Sequence, residues 1–299
     1  MCYNNSINIF FSIRGVMKNR ATLHKLSVVL IVVFILIFAS FCLMSCNKKA
    51  EKEYIDYTKN NEFEIEHTTY VANPDAEESE QYGMEIYCPK DNNPKYGLIF
   101  YVGTVIPAEK YNYLSTALAK AGFLVIIPNV SFNMTYGYYE EQTVVISNKV
   151  LKDYSDVQFF IGGHSQGGGA AMRFSTDNQS KILGAIFLSP LCYSDLDTDD
   201  SKYGLSNSNL PALLLEAQGD CVLNASQKSD AEERMPQGVE RHVIDPGAHM
   251  SFSEWEDDAT LSFFYGDGLG ITEEGKALQK TKTIGYIFDF IYKVIGIEK

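Results

Sequence analysis

Positive charge is in short supply in this sequence. Its 299 residues carry 25 Lys and Arg against 38 Asp and Glu, a formal net charge of -13. A chain this acidic is repelled by phosphate backbones, which argues against nucleic-acid binding. Histidine is scarcer still, with five residues, and the six cysteines show no close spacing of the kind metal ligands need. No metal site and no cofactor are expected. No nucleotide-binding loop, internal repeat or second domain boundary is visible. One region lacks acid altogether: no Asp or Glu precedes Glu51.

That acid-free region has its own pattern. Arg14, Lys18, Arg20 and Lys25 supply positive charge, a long apolar run follows from Leu26 to Met44, and the polar Asn47-Lys48-Lys49 closes it. A basic start, an apolar centre and a small residue before a polar break are the layout of a secretory signal, complete even if Met17 is the true start. The junction Leu43-Met44-Ser45-Cys46 resembles the lipobox of bacterial lipoproteins, in which the cysteine is lipid-modified and becomes the first mature residue. That resemblance implies a signal peptide over residues 1–45, a lipid anchor at Cys46, and a place on the extracytoplasmic face of a cell membrane. The rival is an uncleaved transmembrane helix, because the apolar run is about long enough to span a bilayer. Loss of residues 1–45 leaves 21 Lys and Arg against 38 acids, a net charge of -17. Such a body is repelled by an anionic bilayer, so the polar stretch 46–61 reads as a tether. Cys88, Cys192 and Cys221 then remain. Three is an odd number, so no disulfide framework is expected, although one incidental bridge can form outside the cytoplasm.

Residues 62–299 read as a single α/β domain. Phe63–Val71 and Met84–Cys88 alternate as antiparallel opening strands, with an acidic turn region from Asn73 to Gln81 between them. Continuous apolar runs at Gly97–Val102, Phe123–Ile127, Val157–Ile161, Leu183–Leu188 and Ala212–Leu215 suit strands buried on both faces, and Val239–Ile244 is the last strand. Helical spacing fits Glu109–Ala121, Tyr139–Tyr154, Ala225–Arg234 and Thr272–Ile297. Strands alternating with helices make a doubly wound, mainly parallel sheet.

The most informative stretch is Val157–Arg173, VQFFIGGHSQGGGAAMR. The strand is expected to break at Gly162-Gly163, and a small-residue helix to follow from Gly167. Between them Gly163-His164-Ser165-Gln166-Gly167 fits the G-x-S-x-G pattern of a nucleophile elbow. The bare pattern arises by chance in roughly one chain in ten of this length. The apolar strand before it and the small-residue helix behind it make it specific. The turn would lift the Ser165 hydroxyl clear of the backbone and set the Gln166 N–H beside a reacting carbonyl.

In such sheets chemistry gathers at the carboxyl ends of strands. After the first parallel strand come Gly103-Thr104, after the Ala212 strand Asp220, and after the last strand His249. A serine, an acid and a histidine in that order can form a nucleophile, an orienting carboxylate and a general base. Of the five histidines, His24 lies in the signal, His67 and His242 lie in strands, and His164 sits inside the elbow with its side chain expected to point away from the serine. Glu216 is expected within the strand, and the aspartates at 195, 197, 199 and 200 in a solvated loop. The second oxyanion donor is expected from Thr104, with Val105 as the neighbouring alternative.

Gly97–Tyr101, Tyr111 with Leu114, Ala117–Ala119, Gly122–Pro128, Phe132-Asn133, Gly162–Gly168, Gly247–His249 and Gly266-Asp267-Gly268 resemble, in order, the α/β-hydrolase fold-5 family, a dienelactone-hydrolase-like group. The likeness covers roughly residues 84–296. It implies an α/β-hydrolase fold, a triad at Ser165, Asp220 and His249, and hydrolysis of carboxylic esters through an acyl-enzyme. Thr104 stands where the family usually has a second glycine, which narrows the expected oxyanion hole. Phe252, Trp255, Phe263, Phe264 and Tyr265 follow the histidine and could wall a pocket or pack the closing helix equally well. The segment Pro190–Pro211 is too short for a large lid, which favours small, soluble esters. Acyl transfer with the same residues, or ligand binding without catalysis, are the competing readings.

Overall fold

Two edge strands and six interior ones follow directly from where the apolar residues fall. The computed structural model describes residues 63–71, 73, 75, 82–133, 135, 140–192, 203–255, 267 and 271–297. The expected signal peptide, Cys46, the tether and residues Phe263–Tyr265 lie outside the described residues, as do the aspartates of the 195–200 loop.

The eight strands are β1 (Ile65–Tyr70), β2 (Gly83–Pro89), β3 (Tyr96–Tyr101), β4 (Leu124–Asn129), β5 (Gln158–His164), β6 (Ala185–Leu188), β7 (Ala212–Ala217) and β8 (Glu240–Ile244). They form one sheet in the order β1-β2-β4-β3-β5-β6-β7-β8. β1, β2 and β4 pair antiparallel, and every pairing from β4 across to β8 is parallel. Among the described residues the helices are α1 (Asn112–Lys120), α2 (Glu140–Asp153), α3 (Gln166–Asn178), α4 (Ala225–Glu233) and α5 (Glu273–Ile295). This is the doubly wound, mainly parallel sheet flanked by helices expected from the sequence.

The period of two along each interior strand divides the core. Leu98 and Phe100 of β3 join the packing that holds Leu118 of α1 and Ile287, Phe288 and Ile291 of α5. Ile99 and Tyr101 face the other way, onto Ile146 of α2 and Ala170 and Phe174 of α3. A strand buried on both faces needs apolar residues at every position, so β3 to β7 read as unbroken apolar runs. The edges differ. Glu66, His67, Thr68 and Thr69 of β1 and Arg241 and Val243 of β8 are exposed.

Local differences from the sequence reading have local causes. Expected helix Glu109–Ala121 begins as a 3-10 turn, Ala108–Tyr111, before α1 takes over. The strand expected to break at Gly162-Gly163 instead runs on to His164, pairing in register with β3 and β6. Neither glycine ends the strand, because neighbours press on it: a Cβ at Gly162 would lie 3.2 Å from the carbonyl oxygen of Ile186. α5 is held at both ends, by the Thr272 hydroxyl on the Gly275 N–H and by Gly296 at φ 72°.

The chain leaves β3 toward β4 on one side, then returns to place β5 on the other. The strand order therefore reverses between β3 and β5, and the carboxyl ends at such a reversal are where open α/β sheets gather their chemistry.

Candidate active site

Ser165 stands at that reversal, between the last residue of β5 and the first of α3, with φ 53° and ψ -122°. Few non-glycine residues adopt this backbone, and it is held by its surroundings. The Ser165 N–H donates to the Leu188 carbonyl at 3.0 Å, and the Ser165 carbonyl accepts from Gly168 at 2.9 Å and Leu191 at 2.8 Å. The two glycines of the pattern are steric necessities. A Cβ at Gly163 would lie 2.2 Å from the Gly167 oxygen, and one at Gly167 would lie 2.3 Å from the carbonyl oxygens of both Tyr101 and Val102.

Asp220 follows β7 and His249 follows β8. The His249 Nδ1 lies 2.9 Å from Asp220 Oδ2, and each side chain is 1% exposed. Asp220 Oδ1 accepts from the N–H groups of Val222 at 3.0 Å and Leu223 at 2.9 Å. Burial alone would raise the Asp220 pKa. The hydrogen bond and positive charge of His249, the Leu223 N–H and the Lys228 ammonium outweigh it, holding the carboxyl down at about 2. An ionised carboxylate only accepts, so the bonded Nδ1 carries the proton and Nε2 is left with a lone pair. Gln279 of α5 fixes the histidine loop from behind, accepting from the Ala248 N–H at 2.9 Å and donating to the Ala248 carbonyl at 2.8 Å.

His164, read as a bystander, is fully buried and integral to the site. Its ring lies 4.7 Å from the His249 ring and 5.6 Å from that of Phe252. Its Nδ1 is 2.8 Å from the Tyr111 hydroxyl, which also accepts from the Gly103 N–H at 2.9 Å. Tyr111 therefore donates to Nδ1. Burial, with the neighbouring His249, pushes the His164 pKa well below its ordinary value, so the ring is neutral. Burial likewise raises the Tyr111 hydroxyl far above a free tyrosine, keeping its proton in place.

The two expected oxyanion donors lie together. Thr104 Oγ1 donates to Gln166 Oε1 at 2.8 Å, joining the loop after β3 to the start of α3. The Val105 N–H is committed to the Asn133 carbonyl at 3.1 Å and the Gly103 N–H to Tyr111. Thr104 thus keeps the one N–H of the three with no acceptor among the described residues. Gln166 opens α3, so its N–H belongs to the first turn, where no carbonyl within the helix can take it.

The rivals fall elsewhere. Glu216 stays within β7 and binds Arg241 Nε at 2.5 Å. His67 stacks on Tyr87 and His242 on Tyr286. Phe252 is fully buried in the core that contains α5, and Trp255 packs against the same core, so these two aromatics serve packing. Cys88, Cys192 and Cys221 form no bridge with one another. Nothing short-range in the sequence marks His164 or Tyr111 as partners, because 53 residues separate them.

A model of the alpha/beta hydrolase family matches residues 97–259, a span that contains Ser165, Asp220 and His249. The chain belongs to the alpha/beta hydrolase family. Hydrolysis is the broad activity that membership supports. Among solved structures, this alpha/beta hydrolase is similar to the crystal structure of a predicted CIB-like hydrolase from Thermoplasma acidophilum, at 12% identity and a TM-score of 0.49. The likeness covers 68% of this chain and 98% of that one. No curated protein matches the chain in sequence.

Proposed function

We propose that this alpha/beta hydrolase is a serine ester hydrolase, carried on the extracytoplasmic face of a membrane by a lipid on Cys46. The observation that carries the chemistry is the buried Asp220–His249 pair, with its ring packed on the residue next to Ser165. His249 Nε2 takes the proton of the Ser165 hydroxyl as the oxygen attacks the ester carbonyl. Asp220 stabilises the imidazolium so formed. The N–H groups of Gln166 and Thr104 take the negative charge of the tetrahedral oxygen, each worth about 3 kcal/mol of barrier. The imidazolium then protonates the leaving alcohol, giving an acyl-enzyme on Ser165. Water, deprotonated by the same nitrogen, releases the acid and restores the serine.

Small, soluble esters suit this reading better than long-chain lipids, because the 190–211 segment leaves little chain for a lid. The dienelactone-hydrolase-like resemblance points the same way. A fluorophosphonate probe is expected to label the detergent-solubilised full-length protein at Ser165, and the protein to hydrolyse p-nitrophenyl acetate. Ser165→Ala is expected to abolish both. Folded protein that takes no label and hydrolyses nothing across a panel of short esters overturns the reading. Transfer of the acyl group to added alcohols in preference to water would make the enzyme an acyltransferase.

A further inference from the structure

Upstream of Asp220 and His249, the two loops that carry them are joined by backbone alone. The Gln218 N–H donates to the Ile244 carbonyl at 3.0 Å, and the Gly219 N–H to the Gly247 carbonyl at 2.8 Å. These bonds continue the β7–β8 ladder. Beyond them the loops diverge, and the join passes to a side chain. Asp267 is 0% exposed. Its Oδ1 accepts from the Cys221 N–H at 2.8 Å, and its Oδ2 from the Met250 N–H at 2.7 Å. Cys221 follows Asp220 directly and Met250 follows His249 directly.

We propose that Asp267 is a positioning residue for the site: its two carboxylate oxygens clamp the acid loop to the histidine loop just beyond the pair that must meet. The proposal rests on the ester-hydrolase reading for its kinetic consequence and on the geometry alone for the clamp.

The residue type fits the task. A carboxylate offers two acceptors on one rigid plane, and each here meets a backbone N–H. Bonds from N–H to an ionised oxygen are shorter and stronger than neutral ones, which offsets the cost of burying the group. An amide of the same shape supplies one acceptor only, and turns an NH2 against the other N–H. Gln279, and Lys282, which reaches the Asp245 carbonyl at 2.8 Å, fasten the histidine loop to α5. Asp267 touches both loops. The pair it serves is sensitive to small displacement, because the Nδ1–Oδ2 contact is already at its working length of 2.9 Å.

The test is Asp267→Asn in the full-length protein. With short esters, kcat is expected to fall on the order of 10²-fold, with KM little changed, as for a misplacement of about 1 Å at a catalytic group. kcat is taken per Ser165 that accepts a fluorophosphonate, so a defect that only lowers the amount of folded enzyme leaves it unchanged.

Two readouts need no turnover. In the unaltered protein the Cys221 and Met250 amides are expected to exchange with solvent at one shared, slow rate, since a single opening frees both. In Asp267→Asn both are expected to speed up, and the downfield Nδ1 proton signal of His249 to broaden. Unrelated exchange rates in the unaltered protein overturn the clamp, and so does a folded Asp267→Asn with unchanged kcat. If the exchange behaves as expected but Ser165 takes no fluorophosphonate, the clamp stands and the ester-hydrolase reading fails.

Discussion

His249 donates its Nδ1 proton to Asp220 at 2.9 Å across 29 residues of sequence, from the end of one strand to the end of its neighbour. Both residues are buried, so no water competes for the bond. Asp220→Asn keeps the shape and removes the charge. The amide can donate to Nδ1, which would force the proton to Nε2 and leave no base facing the serine. Ester turnover is expected to fall on the order of 10⁴-fold in kcat, measured with a p-nitrophenyl ester at saturating substrate.

Acid stability follows from the same residues in two windows. His164 is buried and neutral, its folded pKa well below the ordinary 6.5. The unfolded chain binds a proton there that the folded one refuses, so stability falls as pH drops below about 6.5. Asp220 is held at about 2 against an ordinary 3.8. Its contribution, on the order of 2 kcal/mol, is fully present above about 3.8 and is lost as pH falls through about 2. Urea titrations from pH 7 to pH 2 are expected to show both slopes. His164→Gln is expected to flatten the upper one, and Asp220→Asn the lower.

Gly163→Ala is expected to be among the most damaging single-methyl additions in the chain. Its Cβ would lie 2.2 Å from the Gly167 oxygen and 2.4 Å from the Gly167 carbonyl carbon, both backbone atoms that cannot rotate aside. A cost of roughly 3 kcal/mol or more is expected, read as a lower midpoint in denaturant. Fluorophosphonate labelling is expected to vanish in the fraction that remains folded.

The anchor has its own test. Cys46→Ala is expected to move the protein from the membrane pellet to the soluble fraction, with ester hydrolysis unchanged per molecule. A mutant that stays in the pellet after alkaline washing favours a spanning helix instead of a lipid.

The interior of the sheet was legible because β3 to β7 are apolar at nearly every position, and only strands covered on both faces need that. Asp220 and His249 were legible as candidates because each sits just past a strand end. What the sequence hid depends on segments that meet only after folding. β5 reads as broken at Gly162-Gly163, yet it continues, because the glycines answer to contacts with Ile186 and Gly167 rather than to a turn. His164 reads only as a neighbour within the elbow, because its bond to Tyr111 at the start of α1 and its packing on His249 beyond the end of β8 join segments distant in sequence. Gly266-Asp267-Gly268 is part of the family resemblance, but nothing local tells what Asp267 holds, because its partners are 46 and 17 residues away.

Ser165 holds a backbone conformation that a side chain resists, and the backbone bonds to its N–H and carbonyl keep it there. Such a residue costs on the order of 1–3 kcal/mol, a cost glycine would escape. The fold is therefore more robust with glycine there. On the proposed chemistry, part of the native free energy is surrendered at one position to set a hydroxyl at the turn, and drift toward glycine would toughen the molecule while silencing it.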